Sequence, residues 1–295
     1  MQIHGTQIVD TFAEAFGMRF VRLIVTAHDD YWLEAALREF TGYASSVIAC
    51  DAEVGVERRL SAEETPDRRP GASVLVFGFS RESLAESVPN RTGQCLMTCP
   101  TTAVYDGLPE SAERIALGKH IRFFGDGFQK SKLLFGRRYW RIPVMDGEFL
   151  VEDRVGVAKG VAGGNIVVQG NSLDATLAAA RRGTEAVDQL DNAITPFPGG
   201  VARSGSKVGS VYKQLKASTA DAFCPTLRGR VDSKLHEDAR YALEIVIDGA
   251  SEEVVAAAMA AAIRAAAGDG VVAISAGNYG GQLGKYHFHL HKLLA

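Results

Sequence analysis

Short apolar runs rich in β-branched residues alternate with alanine-rich stretches along this chain, so that one unit of strand, helix and strand recurs three times. In chain order, the predicted strand, helix and strand of these copies are residues 20–26, 29–40 and 46–50; 165–169, 172–190 and 193–195; and 243–247, 251–267 and 271–275. Ser172 and Ser251 each precede acidic residues, which is typical of a helix start. Further strands are predicted at residues 73–79, 121–124, 138–143 and 286–290.

Strand–helix–strand units with extra strands between them predict an α+β fold, namely a duplicated ferredoxin-like split βαβ sandwich with two lobes. At 295 residues, the chain is long enough for two hydrophobic cores. We place the boundary at the turn around residues 145–147, which predicts an N-terminal lobe over residues 1–146 and a C-terminal lobe over residues 147–295.

Charge and composition exclude several classes of protein. A formal net charge of −3 offers no basic surface for nucleic acid or for an acidic membrane. The N-terminal residues show no secretory leader, and the most apolar stretch, residues 254–267, is short and interrupted by Arg264. Four cysteines in a chain of this length form no disulfide framework. We therefore expect a cytoplasmic protein that binds neither nucleic acid nor membrane.

Glycine is in excess, with 31 of 295 residues, and 18 of these lie from Gly156 onward. Glycine lets a backbone approach a ligand closely, although each of the glycine-rich stretches also fits an ordinary tight turn. None matches a phosphate loop or a dinucleotide-binding motif. Because two of them end equivalent strands, we expect a shared ligand cleft. The predicted substrate-binding residues are Gly163, Gly164, Asn165, Pro198, Gly199, Gly200, Ser204, Ser206, Lys207, Asn278, Tyr279, Gly280 and Gly281.

Glu244 is the candidate catalytic residue, since it interrupts the apolar strand at residues 243–247. If its side chain is buried, desolvation raises its pKa and keeps the carboxylic acid neutral near pH 7, so that it can donate a hydrogen bond or a proton. The alternative is a strand residue facing solvent together with Asp248.

The remaining chemistry in the sequence is sparse. His287, His289 and His291 alternate, and on a strand their imidazoles would share one face, as in some metal sites. No acid nearby would orient the rings, so a half-exposed terminal strand is favoured and no metal is predicted. No nucleophile elbow or catalytic-triad spacing is present.

Seven segments of the chain are similar to one known family of enzymes. They are residues 10–16 (DTFAEAF), 93–104 (GQCLMTCPTTAV), 123–127 (FFGDG), 159–165 (KGVAGGN), 194–200 (ITPFPGG), 204–210 (SGSKVGS) and 276–281 (AGNYGG). These segments resemble formylmethanofuran:tetrahydromethanopterin formyltransferase, and the resemblance runs from end to end of the chain.

The resemblance implies a cytosolic acyltransferase of one-carbon metabolism that has no prosthetic group. Methanofuran and tetrahydromethanopterin are then its co-substrates, and the formyl group moves directly between their nitrogens through a tetrahedral intermediate. It further implies two ferredoxin-like lobes, a homotetramer, and a role at the active site for the glutamate that matches Glu244.

The composition departs from that of the methanogen members, which are strongly acidic and rich in lysine, whereas this chain is nearly neutral. It looks more like the version found in methylotrophic bacteria, a subunit of a formyltransferase/hydrolase complex that works in the direction of formaldehyde oxidation to formate. The furan cofactor carries glutamyl carboxylates, and the basic residues at positions 137–141, 203, 207, 213 and 216 would guide them. The alternative is that these basic residues form a solvated face without a ligand. The competing hypotheses are a non-catalytic scaffold subunit and an acyl hydrolase.

Overall fold

A computed structural model of the chain describes residues 1–134 and 136–295. Its strands, numbered in chain order, are β1 (Gln2–Ile3), β2 (Thr6–Ile8), β3 (Phe12–Thr26), β4 (Glu53–Leu60), β5 (Gly71–Gly78), β6 (Ala103–Asp106), β7 (Arg114–Ala116), β8 (Lys130–Leu134), β9 (Arg137–Val144), β10 (Gly147–Glu152), β11 (Arg154–Gly156), β12 (Ala158–Gly170), β13 (Ala193–Ile194), β14 (Val201–Ala202), β15 (Ser206–Val208), β16 (Ala217–Thr219), β17 (Tyr241–Gly249), β18 (Val271–Ser275) and β19 (Tyr286–His289). Its α-helices are α1 (Asp30–Thr41), α2 (Arg81–Arg91), α3 (Gly118–Ile121), α4 (Leu173–Val187), α5 (Glu252–Ala266) and α6 (Leu290–Leu293).

The chain forms two compact units, one of residues 18–160 and the other of residues 1–17 together with 161–295. In the unit of residues 18–160, the elements follow the order β3, α1, β4, β5, α2 and β6. The four strands pair antiparallel in the sheet order β4-β5-β3-β6. This is the split βαβ arrangement, and β10, β9 and β8 extend its sheet from β6.

The second unit repeats the arrangement with β12, α4, β13 and β14, β17, α5 and β18. β17 pairs antiparallel with β12 on one side and with the short strands β13 and β14 on the other, and β18 pairs antiparallel with the far edge of β12. The duplicated α+β fold predicted from the sequence is therefore confirmed. The two capping serines are also as predicted, since Ser172 accepts from the N–H of Ala175 and Ser251 from that of Val254.

Close packing of α4 and α5 on β17 fixes which way the residues of that strand face. A Cβ at Gly183 of α4 would lie 2.6 Å from Cδ1 of Ile245, so the glycine lets the helix approach the strand. Ile245 and Ile247 are both fully buried in this core. Because side chains alternate along a strand, Glu244 faces away from the two helices.

Two sequence expectations about elements are wrong, and one helix is absent from the sequence predictions. Residues 46–50 form turns and bends, and the strand of that unit is β4. Residues 121–124 form the end of α3 and a 3₁₀ turn over Arg122–Gly125 rather than a strand. Helix α2 was not predicted, because its sequence is largely polar and contains Pro89, which is a poor residue for a helix interior.

The boundary at residues 146 and 147 stays a prediction, and it falls between β9 and β10, inside the unit of residues 18–160. Among the described residues, no helix combines the length and the apolar character that crossing a membrane requires.

Candidate active site

A cavity of about 270 Å³ opens in the unit of residues 1–17 and 161–295. Strands β12, β14, β16 and β17 contribute to its wall, together with the start of β15 and the loops at residues 220–224 and 277–279. Six of the residues predicted from the sequence lie on this wall: Asn165, Ser206, Lys207, Glu244, Asn278 and Tyr279.

Glu244 places a carboxyl group on the wall of the cavity. Its backbone is paired on both sides, with Val167 of β12 and Ala202 of β14, so the central position of β17 holds the carboxyl in place. Burial raises the pKa of Glu244 to about 7. No described residue donates a hydrogen bond to its carboxyl, which makes the group available to a ligand. Asp248, on the same side of β17, is fully buried and accepts from the N–H of Gly163. Glu244 is half-buried and lines the cavity, so the two acids do not share a solvent-exposed face.

Two glycines lie against the Glu244 carboxyl. A Cβ at Gly205 would lie 2.7 Å from Oε2 of Glu244, and one at Gly277 would lie 3.8 Å from Oε1. The Gly205 carbonyl accepts from the N–H of Ala220, which fixes the position of this backbone. Any side chain at residue 205 would therefore have to displace the carboxyl or the loop.

Asn165 holds Gly277 through two hydrogen bonds and Gly163 through a third. Its Nδ2 donates to the carbonyl of Gly277 at 3.1 Å and to that of Gly163 at 3.2 Å, and its Oδ1 accepts from the N–H of Gly277 at 2.6 Å. Asn165 is only 7% exposed, so its amide acts chiefly as a backbone clamp that fixes the wall of the cavity.

The basic residues of the cavity differ in how they are paired. Lys207 forms an ion pair with Asp221, which also lines the cavity and whose pKa is lowered by the lysine. Arg203 and Lys234 also lie on the wall and are exposed. Neither of their side chains has a hydrogen-bond or ion-pair partner among the described residues, so they are the cations best placed to meet an anionic ligand.

The other predicted site residues lie off the wall of the cavity, and the six glycines among them each have a local structural reason to be glycine, either a positive φ or a close contact. Gly163 has a φ of +88°, and a Cβ at Gly164 would lie 2.3 Å from Cγ1 of Val255. Gly200 packs against Thr184, where a Cβ would lie 2.6 Å from the methyl carbon. Predicted residues that do not reach the cavity wall are Gly163, Gly164, Pro198, Gly199, Gly200, Ser204, Gly280 and Gly281.

Glu14 is a residue that we did not predict as part of the site. Its side chain, 1% exposed, accepts four backbone hydrogen bonds from the loop that follows Asn278. Burial raises the pKa of the Glu14 carboxyl, but the four N–H donors outweigh burial and hold it below its ordinary value. Glu14 lies within the segment 10–16, whose resemblance to the family is the one sequence signal that points to it.

The three histidines near the C-terminus do not share one strand face. His287 and His289 lie on β19 and both contact the ring of Phe12, whereas His291 lies in α6 and contacts the carbonyl of Ile8. Across the residues that the structure describes, no group of three or more histidine, cysteine, aspartate or glutamate side chains is arranged to hold a metal ion.

A partnerless acid with a raised pKa, set in the cavity of a duplicated α+β sandwich, defines a candidate site of acid catalysis. Comparison with known proteins identifies the family. The formylmethanofuran-tetrahydromethanopterin formyltransferase model matches residues 1–144, and the model of the proximal lobe of the same family matches residues 147–293. The chain belongs to the formylmethanofuran-tetrahydromethanopterin formyltransferase family.

Relatives match over the full chain. A formylmethanofuran–tetrahydromethanopterin formyltransferase of Methylobacillus flagellatus is 52% identical, with all of both chains covered. The solved structure of the Methanosarcina barkeri formyltransferase superposes with a TM-score of 0.94 at 45% identity and covers 99% of this chain and 100% of that one. The formyltransferase/hydrolase complex of Methylorubrum extorquens, solved with methylofuran, contains a chain that superposes with a TM-score of 0.96 at 47% identity, covering 100% and 99%.

Proposed function

We propose that this protein is an N-formyltransferase that moves a formyl group between tetrahydromethanopterin and methanofuran, and that the reaction takes place in the cavity beside Glu244. The observation that carries the proposal is the Glu244 carboxyl, which has a pKa of about 7 and no partner among the described residues. Relatives named for this reaction match the whole chain.

The reaction needs no enzyme nucleophile, because the acceptor amine is itself nucleophilic. Its nitrogen attacks the formyl carbon, and the carbonyl electrons move to oxygen to give a tetrahedral intermediate. The oxygen electrons then re-form the C=O bond, and the donor C–N bond breaks with its electron pair on the leaving nitrogen. The leaving nitrogen takes up a proton and the acceptor nitrogen loses one. The protein has to hold both carriers together, exclude water and stabilise the negative oxygen.

Glu244 suits the acid role in this sequence. With a pKa of about 7, a large fraction of the side chain carries a proton at neutral pH. The protonated form can donate to the developing oxyanion or to the departing nitrogen, and the carboxylate can take the proton from the attacking amine. A positioned acid or base of this kind is worth about 10²–10⁴-fold in rate.

We also propose the direction and the partners of the reaction. In the direction of formaldehyde oxidation, the pterin donates the formyl group and the furan amine accepts it. The Methylorubrum relative was solved as part of a formyltransferase/hydrolase complex, which supports a complex of this kind for the present chain as well. Within that proposal the chain is cytoplasmic, contacts a second copy of itself as part of a tetramer, and needs no prosthetic group.

The test is a transfer assay with purified protein and formyl-labelled tetrahydromethanopterin, with and without methanofuran. The proposal predicts formylmethanofuran only when both carriers are present and no formate in the absence of the furan. Formate release without an acceptor would indicate an acyl hydrolase. Retention of all the label on the pterin would indicate a scaffold subunit, and either result would contradict the proposal.

A further inference from the structure

We propose that Glu14 is a positioning residue for formyl transfer: its carboxylate fixes the backbone of residues 279–284 and thereby holds the Tyr279 phenol in the cavity as a hydrogen-bond donor to the reacting formyl oxygen. The inference rests on the proposed function and adds two roles to it. It is carried by a hydrogen-bond network that links residues far apart in sequence within one compact unit.

The Glu14 carboxylate is saturated by the loop. Oε2 accepts from the N–H groups of Tyr279 and Gly281, both at 2.8 Å, and Oε1 accepts from those of Leu283 and Gly284, both at 2.5 Å. The loop has no regular structure of its own, and Gly280 and Gly281 have φ values of +73° and +74°. The conformation of the loop is therefore defined by four of its N–H groups, which converge on one carboxylate.

The loop is joined directly to the cavity wall. The backbone N–H of Glu14 donates to the carbonyl of Gly277 at 3.3 Å, the same glycine that Asn165 clamps. Asn278 is tied to the same strand, because its Nδ2 donates to the carbonyl of Phe12 at 3.1 Å. Residues 277–279 are thus held from both ends, and all three line the cavity that contains Glu244.

Glutamine cannot replace the Glu14 carboxylate in this network. A carboxylate offers two acceptor oxygens, whereas an amide keeps one and turns the other position into an NH₂ donor. Two of the four loop N–H groups would then face a donor. These N–H groups belong to the turn that carries Tyr279. Loss of their hydrogen bonds to residue 14 therefore frees the tyrosine to leave its position, although the substitution itself removes no group from the cavity.

Tyr279 is equipped to act as the donor. Its ring packs at a centroid distance of 6.2 Å from Phe16, its side chain is half-buried, and no described residue hydrogen-bonds its hydroxyl. Burial, then the nearby carboxyls of Glu244 and Glu14, raise the pKa of the phenol, so it stays protonated. A tyrosine paired with a protonated carboxylic acid is a known way to stabilise an oxyanion.

The test is a double-mutant cycle measured as steady-state formyl transfer. Y279F is expected to lower kcat about 10²-fold, the usual effect of removing one oxyanion donor, while KM for each carrier changes less than twofold. E14Q is expected to lower kcat to a similar extent, and the Y279F/E14Q double variant to be no slower than Y279F alone, because Glu14 acts through Tyr279. Y241F and E237Q, outside the cavity wall in the same unit, serve as matched controls with wild-type kcat.

A Y279F kcat within twofold of wild type would overturn the inference, whether or not the Glu14 variants fold. Effects of Y279F and E14Q that multiply in the double variant would also overturn it, because they would mean that Glu14 supports the fold rather than Tyr279. Wild-type protein that transfers no formyl group would instead overturn the proposed function. The two failures are therefore distinguishable.

Discussion

Replacing Glu244 with glutamine is expected to change how the stability of the protein depends on pH. The native carboxyl has a pKa of about 7, against an ordinary value of 4.5. Below pH 4.5 both the folded and the unfolded chain carry the proton, and stability is unaffected. Between pH 4.5 and 7 the unfolded chain has lost the proton while the native chain keeps it, so the free energy of unfolding falls as pH rises. Glutamine does not titrate in this pH range, so E244Q lacks this contribution to the pH dependence of stability.

The size of the effect follows from the two pKa values. A difference of one pH unit corresponds to about 1.4 kcal/mol, so the rise from 4.5 to about 7 represents about 3 kcal/mol of stability lost by pH 8. Desolvation of the charged carboxylate is the cause. The free energy of unfolding of E244Q, relative to wild type, should therefore increase by about 3 kcal/mol from pH 4.5 to pH 8.

Urea unfolding at a series of pH values measures this difference, provided that protein concentration is held fixed because oligomers gain stability with concentration. E237Q, at an exposed glutamate of the same unit, is the matched control and should track wild type. A difference between E244Q and wild type that stays constant from pH 4.5 to pH 8 would refute the conclusion that Glu244 is held neutral by burial.

Three further predictions concern the cavity and the assembly. G205A should lower kcat at least tenfold with little change in thermal stability, because its Cβ would push the Glu244 carboxyl aside. The control G93A should behave as wild type, since no atom lies within 4 Å of a Cβ at residue 93. Equal kcat values for the two variants would refute this prediction. R203E and K234E should raise the KM for methanofuran, and the increase should be smaller in 0.5 M salt than in low salt. K213E, off the cavity wall, should raise this KM less than either of them. Unchanged KM values for R203E and K234E would refute steering of the furan tail. Size-exclusion of native extract should place the 31.6 kDa chain in an assembly larger than a tetramer, and a lone tetramer would refute the complex.

The elements that could be predicted from the sequence are those whose own pattern specifies them. β18 begins and ends where the apolar run predicts, and α4 and α5 follow their serine caps closely. Glu244 could be singled out because a charged residue inside the apolar strand β17 is unusual without a reason. Local pattern is sufficient there, since burial of Ile245 and Ile247 fixes which residues of the strand face the core.

The parts that could not be predicted depend on contacts between distant residues. Glu14 and Gly284 are 270 residues apart, and nothing in the segment around Glu14 indicates that four backbone N–H groups converge on it. The predicted glycines show the same limit, because Gly164 and Gly200 are required by packing on Val255 and Thr184 rather than by a ligand, whereas Gly205 lies against the acid. A glycine-rich stretch indicates that the backbone closely approaches another group, but it does not identify that group as a ligand or as part of the protein.

The central claim is that Glu244 acts as the acid of formyl transfer. The most direct test is the ratio of wild-type to E244Q kcat for transfer from the pterin to the furan, measured from pH 6 to pH 9, because any ionisation of the carriers themselves cancels in the ratio. We expect a ratio of about 10²–10⁴ at pH 6 that falls as pH rises through about 7, where the native carboxyl loses its proton. A ratio near one at every pH would contradict the account.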